Sequence, residues 1–228
     1  MTSDNLSVRK RNGRGKMPLD IEKIHSMVGH ATENITGVSA SHVEMNSGIQ
    51  FADGMSTDDI QQILIKSAND LISLENPNYQ YVAGRLINYN LRKQVYGTYN
   101  PEPLLKHYIR VRDEGYYDKE MGDVYSVEEF DELEKYIDHD RDNLLTYAAM
   151  EQFRGKYLIR NRVTNKFYET PQMAFMLIAM TLFQNYTTNR MKWVKDLYDA
   201  ISTFDISLPT PIMAGVRSPQ RQFSSCVL

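Results

Sequence analysis

Apolar residues recur at three- and four-residue spacing along most of this chain, which commits it to a mainly α fold. Ile24, Met27, Val28 and Ala31 share one face of a helix over about 21–32, and Asp20 stands where a cap belongs. Ser41 and Glu44 have capping-box spacing and predict a second helix to about Phe51. Thr57 is read as the cap of a third helix, with Asp58 and Asp59 in its first turn and Ile60, Ile63, Leu64, Ala68, Leu71 and Ile72 inward. Pro77 opens a fourth, which carries Tyr89, Arg92 and Lys93 and stops near Gly97.

The pattern breaks in three places. Leu6 to Arg11 reads as a strand, and Asn12-Gly13 is a hairpin turn signal. Tyr99-Asn100-Pro101-Glu102-Pro103 reads as a domain boundary. Helices follow at about 102–114, 127–136 (Ser126 with Glu129 forms another capping box), 144–152, 171–184 and 188–202, with a hairpin over 157–168. Ser207-Leu208-Pro209-Thr210-Pro211 cannot be helix interior, because proline removes a donor and clashes with the preceding turn. Phe223 to Leu228 reads as a buried strand, and a core strand needs neighbours on its edges. The chain is therefore expected to be the front part of a larger protein.

Composition narrows the chemistry. The chain has 228 residues and a net charge of −3, with no excess of basic residues to draw it to nucleic acid. The longest apolar stretch, Met173 to Phe183, is far short of the ~18 residues a membrane span needs. The N-terminus lacks the apolar core of a signal peptide, so a cytoplasmic protein without membrane partners is expected. Cys226 is the single cysteine, which excludes an internal disulfide. His25, His30, His42, His107 and His139 have no metal-ligand spacing, and no metal site is assigned.

Three features can carry chemistry. Arg9, Lys10, Arg11, Arg14 and Lys16 cluster in the hairpin around Gly13 and Gly15, ahead of a helix N-terminus. Such a hairpin suits a nucleotide polyphosphate, because glycine lets amides approach and lysine adds charge-assisted hydrogen bonds. It is equally the pattern of a solvated basic hairpin or a nucleic-acid patch. Thr57, Arg92 and Lys93 would converge on one mouth of a small bundle if their helices are antiparallel; otherwise they are a cap and a C-terminal charge. Cys226 follows Ser224 and Ser225 on an apolar strand, a setting for core packing unless a base or second thiol stands nearby. The dense run Asp138-His139-Asp140-Arg141-Asp142 reads as a local ion network.

Taken together, Val8-Arg9-Lys10-Arg11-Asn12-Gly13, Asp53-Gly54-Met55-Ser56-Thr57-Asp58-Asp59-Ile60, Leu91-Arg92-Lys93, Ser207-Leu208-Pro209-Thr210-Pro211-Ile212-Met213 and Arg221-Gln222-Phe223-Ser224-Ser225-Cys226-Val227-Leu228 resemble the N-terminal part of the class I ribonucleotide reductase large subunit. The style is similar to large subunits of tailed bacteriophages. The resemblance implies an ATP-cone over 5–97, a small helical bundle with a β-hairpin lid that binds ATP or dATP with Mg²⁺ as allosteric effector. A helical N-terminal domain over 98–206 and the first strand of an incomplete ten-stranded α/β barrel over 207–228 would follow. Lys10, Arg11, the segment Lys16, Met17, Pro18, Leu19, Asp20, Ile21, Glu22 and Lys23, with Thr57, Gln61, Tyr89 and Lys93, match its nucleotide positions. Gln61 stands where many dATP-inhibited relatives carry histidine, and glutamine brings no charge.

Thr210 and Ser225 match contacts to a nucleoside diphosphate substrate, and Cys226 matches one of the two cysteines that reduce the ribose 2′ position. The implied partners are the remainder of the barrel, a small radical-generating subunit, and thioredoxin or glutaredoxin as reductant. A stand-alone nucleotide-sensing module and a truncated product without function stay open as alternatives.

Overall fold

A computed structural model describes residues 6–10, 15–220 and 223–224. The fold is mainly helical, as the periodicity predicts. The chain divides into two compact units: the described residues of Met1–Asn90 with Asn143–Met150, and those of Leu91–Asp142 with Glu151–Leu228.

The first unit begins with β1 (Ser7–Arg9) and β2 (Lys16–Pro18), antiparallel in the register Ser7↔Pro18 and Arg9↔Lys16. Helix α1 (Ile21–Thr32) buries Ile24, Met27, Val28 and Ala31, and the Asp20 side chain accepts from the Lys23 amide as its cap. Helix α2 (Ala40–Gly48) starts ahead of Ser41; its cap position is Ser39, without a side-chain hydrogen bond, so the predicted Ser41 capping box does not form. Glu44 turns instead to His25, 2.9 Å away. A two-residue strand, β3 (Met55–Ser56), then pairs parallel to β1 and completes the order β2-β1-β3. Helix α3 (Thr57–Asp70) is capped by Ser56 and not by Thr57, because Ser56 and Asp59 close a reciprocal capping box. Ile60, Leu64, Ile65 and Ala68 form its inner face, whereas Ile72 is exposed beyond its end.

Helix α4 (Tyr79–Tyr96) passes from the first unit into the second. Within the first unit it buries Val82, Ala83, Leu86 and Ile87. Gly84 abuts the Leu145 carbonyl, which the returning segment Asn143–Met150 brings into this unit.

The second unit contains α5 (Leu104–Asp113), α6 (Glu120–Val124) and α7 (Val127–Tyr136), the last opened by the predicted Ser126–Glu129 capping box. A 3-10 turn (His139–Leu144), helix α8 (Tyr147–Gln152) and one π-helical turn (Phe153–Tyr157) follow, and the chain changes unit at 142/143 and again at 150/151. The hairpin expected over 157–168 is reduced to a single antiparallel bridge, Arg160↔Phe167, around Asn165 in the left-handed region (φ 56°). Helix α9 (Pro171–Phe183) is buried at every position from Pro171 to Thr181, so it is a central helix and not an amphipathic one. Helix α10 (Arg190–Ser202) packs on it. The segment after Ile206 forms a short helix, α11 (Thr210–Gly215), entered through Pro209 with Pro211 in its first turn, where a missing N–H costs nothing. The strand expected over 223–228 lies almost wholly outside the described residues; Phe223 and Ser224 have no regular structure.

A buried relay anchors α11. Arg217 donates through Nε to Glu169 Oε2 (2.8 Å) and through Nη2 to Glu169 Oε1, and Nη1 donates to the Met213 carbonyl (2.6 Å). Tyr117 donates to Glu169 at 2.7 Å. Burial alone would raise the Glu169 carboxyl, but the Arg217 charge overcomes it and the pKa is lowered. Arg141 joins Asp138 (3.5 Å) and Asp199 (2.7 Å), which makes the acidic run the ion network its density suggests.

Candidate functional site

The hairpin and the first turn of α3 face each other across an open cleft of about 570 Å³. Arg9, Lys10 and Lys16 line one side; Ser56, Asp58 and Asp59 line the other. The sheet fixes this arrangement. Ser7 donates to Asp53 Oδ1 through both its amide (2.8 Å) and its hydroxyl (2.6 Å). Gly54 (φ +79°) donates its amide to the Ser7 carbonyl at 2.8 Å, and its own carbonyl accepts from Arg9 Nε at 2.9 Å. A left-handed residue is needed to turn both groups toward β1, which is a reason for glycine at this position.

The cations are held loosely. Lys16 Nζ is 3.9 Å from Asp53 and Lys23 Nζ is 2.6 Å from Asp20, all on exposed side chains. Exposed pairs of this kind contribute little stability and exchange readily for another anion. The hydrogen bond from the Lys23 side chain, then that from its amide, lowers the Asp20 pKa, and the Lys10 charge adds to the effect. Asp20 in turn raises the Lys23 pKa, with a contribution from Tyr89. Lys10, Asp20, Lys23 and Tyr89 therefore share one electrostatic neighbourhood. Asp59 carries a lowered pKa because it accepts from Ser56, so its charge is already engaged in capping α3.

Around this cleft Met17, Pro18, Ile21 and Glu22 are exposed and Leu19 is half-buried. Met17 and Ile21 are apolar side chains open to solvent by 43% and 44%, a surface suited to a flat, weakly polar ring. Thr57 and Gln61, one turn apart on α3, are half-buried. The Gln61 amide nitrogen reaches only the Met27 sulfur at 3.7 Å, and its Oε1 has no partner among the described residues. Lys93 lies one turn beyond Tyr89 on α4, past the point where that helix enters the second unit.

Arg92, which the sequence pairs with Lys93, lies in the second unit. It is buried, donating to the His139 carbonyl at 2.5 Å and lying 3.3 Å from Asp142. Thr210 is exposed at the start of α11. Arg11, Ser225 and Cys226 lie outside the described residues. Sequence reading included Arg9 in the basic hairpin but missed Ser7, Asp53 and Ser56 as the frame of the cleft; the signal available was the adjacency of Asp53-Gly54 to a second cap residue. Among the described residues no three His, Cys, Asp or Glu side chains group as a metal site would need, and no helix is long and apolar enough to cross a membrane.

Comparison with known proteins gives two family matches, an ATP cone domain over residues 6–94 and a ribonucleotide reductase all-alpha domain over 143–221. Ribonucleoside-diphosphate reductase 1 subunit alpha of Escherichia coli K12 is 48% identical over 227 residues, which is 99% of this chain and 30% of that protein. The alpha subunit of Enterobacteria phage T4 is 47% identical over 225 residues, 98% of this chain and 29% of that protein. The Helicobacter pylori alpha subunit is 35% identical over 223 residues, 98% of this chain and 28% of that protein. The chain thus spans about 30% of the length of the curated relatives it matches. With its cone match over the hairpin and α1–α4 and its all-alpha match behind them, the chain belongs to the N-terminal region of the ribonucleotide reductase alpha subunits.

Proposed function

We propose that this chain binds ATP or dATP in an ATP cone over residues 5–97 and acts as the effector-sensing front of a ribonucleoside-diphosphate reductase. The observation that carries the reading is the coincidence of the ATP cone match with a cleft lined by Lys10 and Lys16. The residues present fit a nucleotide: exposed cations in weak pairs suit a triphosphate, and exposed Met17 and Ile21 suit a base. Lys10, Arg11, Lys16, Lys23 and Lys93 would hold phosphates. Pro18, Leu19, Asp20 and Glu22 would shape the loop around them, and Thr57, Gln61 and Tyr89 would meet the ribose and base. Mg²⁺ would arrive with the phosphates.

In the same reading, residues 98–206 are the helical domain and 207–228 begin the barrel. Thr210 and Ser225 contact a nucleoside diphosphate, and Cys226 is one of the reducing thiols. Reduction of the ribose 2′-hydroxyl then requires the remainder of the barrel, a small radical-generating subunit, and thioredoxin or glutaredoxin. The setting is the cytoplasm.

Calorimetric titration of Mg-ATP and Mg-dATP into the purified chain tests the effector site. Saturable binding that is lost in Lys10→Ala and Lys93→Ala supports it, and the ATP/dATP ratio reads the contribution of Gln61. No heat with either nucleotide, from a chain shown to be folded, removes the sensor reading.

A further inference from the structure

The Arg92–Asp142 pair lies at a junction of the chain. Arg92 follows the 90/91 passage of α4 into the second unit, and Asp142 precedes the 142/143 passage out of it. Both side chains are buried, 3% and 0% exposed. Their hydrogen bonding is incomplete. Arg92 Nε, His139 Nδ1, Asp142 Oδ1 and Gln172 Nε2 are buried polar atoms without a partner among the described residues.

The residues that carry these atoms belong to one cluster. Arg92 Nη2 binds the His139 carbonyl and approaches Asp142 Oδ2. Gln172 is wholly buried at the start of α9, with its Oε1 accepting from the Tyr198 hydroxyl at 2.7 Å. The side-chain amide of Gln172 and its main-chain N–H both lie close enough to the Asp142 carboxylate to favour its charged form, but Asp142 Oδ1 and Gln172 Nε2 are left without the geometry of a hydrogen bond. Polar atoms inside a protein are paired with protein or with ordered water, so four orphans around one ion pair call for an occupant.

The chemistry of the four atoms selects that occupant. The guanidinium and carboxylate charges cancel, so the ligand is neutral; a cation would meet Arg92 and an anion would meet Asp142. Arg92 Nε–H and Gln172 Nε2–H need an acceptor, while Asp142 Oδ1 needs a donor. His139 Nδ1 takes either role, according to its tautomer. We propose that Arg92, His139, Asp142 and Gln172 enclose a buried water site, in which one internal water accepts from Arg92 and Gln172 and donates to Asp142 and His139. The water adds α9 to the direct bonds that already join α4 and the 3-10 turn.

Two measurements on the full chain test this. Water-oxygen-17 magnetic relaxation dispersion counts internal waters that exchange slowly, and a crystal structure with ordered solvent locates them. A solvent peak within hydrogen-bond distance of Arg92 Nε and Asp142 Oδ1 is expected, as is loss of one slow water in the R92M/D142L double variant. That variant replaces the pair with apolar side chains, an exchange proteins often tolerate. A dry cluster in which Arg92 Nε bonds directly to protein, a peak that refines as an ion, or an unchanged dispersion in the folded double variant overturns the proposal. If the double variant does not fold, the wild-type density alone decides.

Discussion

Gly84 packs so closely on Leu145 that a Cβ at this position would stand 2.1 Å from the Leu145 carbonyl oxygen and 3.0 Å from the Thr146 carbonyl carbon. The obstacle is backbone, which cannot rotate away. In an exposed helix Gly→Ala gains about 1 kcal/mol. Here overpacking outweighs that gain, and Gly84→Ala is expected to destabilise the chain by about 2 kcal/mol. A thermal melt reads this as a drop of roughly 4–8 °C. An unchanged or raised midpoint would contradict the packing described.

Ser56 and Thr57 divide two roles that adjacency hides. Ser56 caps α3, so Ser56→Ala should cost about 1 kcal/mol of stability. Thr57→Val should leave stability within about 0.5 kcal/mol, because Thr57 holds no cap hydrogen bond, yet weaken nucleotide binding if Thr57 touches the ligand. Denaturant melts and titration of both variants separate the two. Equal destabilisation would mean that the cap has been placed on the wrong residue.

Asp142 gives the chain a defined acid response. Burial raises its pKa to about 6, against the opposing pull of Arg92 and Gln172, compared with 3.8 for an unperturbed aspartate. The folded state therefore holds a proton that the unfolded state has released between about pH 4 and pH 6. The contribution from this group is fully present below pH 4 and is lost as pH rises through 6, a swing on the order of 3 kcal/mol. In Asp142→Asn that component of the slope should vanish, and comparison of the two melts across this window checks it.

The Glu169–Arg217 pair should behave as a unit. Glu169→Ala leaves the buried Arg217 guanidinium without its counter-charge and is expected to cost about 3–5 kcal/mol. A Glu169→Leu/Arg217→Met double variant should lose much less, since both charges leave the core. A double-mutant cycle by chemical denaturation measures the coupling, and additive losses would show that the two charges do not depend on each other.

What could be read in advance was local. Asp20 and the inner stripe of α1 follow from spacing within one helix, as do Ser126 and Glu129 at the start of α7. The basic hairpin was visible because Gly13 and Gly15 are interleaved with arginines and lysines over a few residues. The rest depended on partners distant in sequence. Nothing near Arg92 announces Asp142, its buried partner within the second unit. Strand β3 has two residues, too few for any alternation, and it exists because Ser7 and Arg9 bond to Asp53 and Gly54. Ser41 and Glu44 had the spacing of a capping box, but His25 supplied a hydrogen-bond partner for Glu44 and the helix began earlier.

Leu145 and Met150 have a consequence for synthesis on the ribosome. They belong to the first unit, so that unit is still unfinished when residue 90 is translated. At about 5–20 residues per second, the missing segment follows roughly 3–12 s later. During that interval the face of α4 around Gly84 lacks its cover. A nascent or clipped chain ending at residue 97 would keep that face bare, and its nucleotide affinity would then report a different folding state from that of the whole chain.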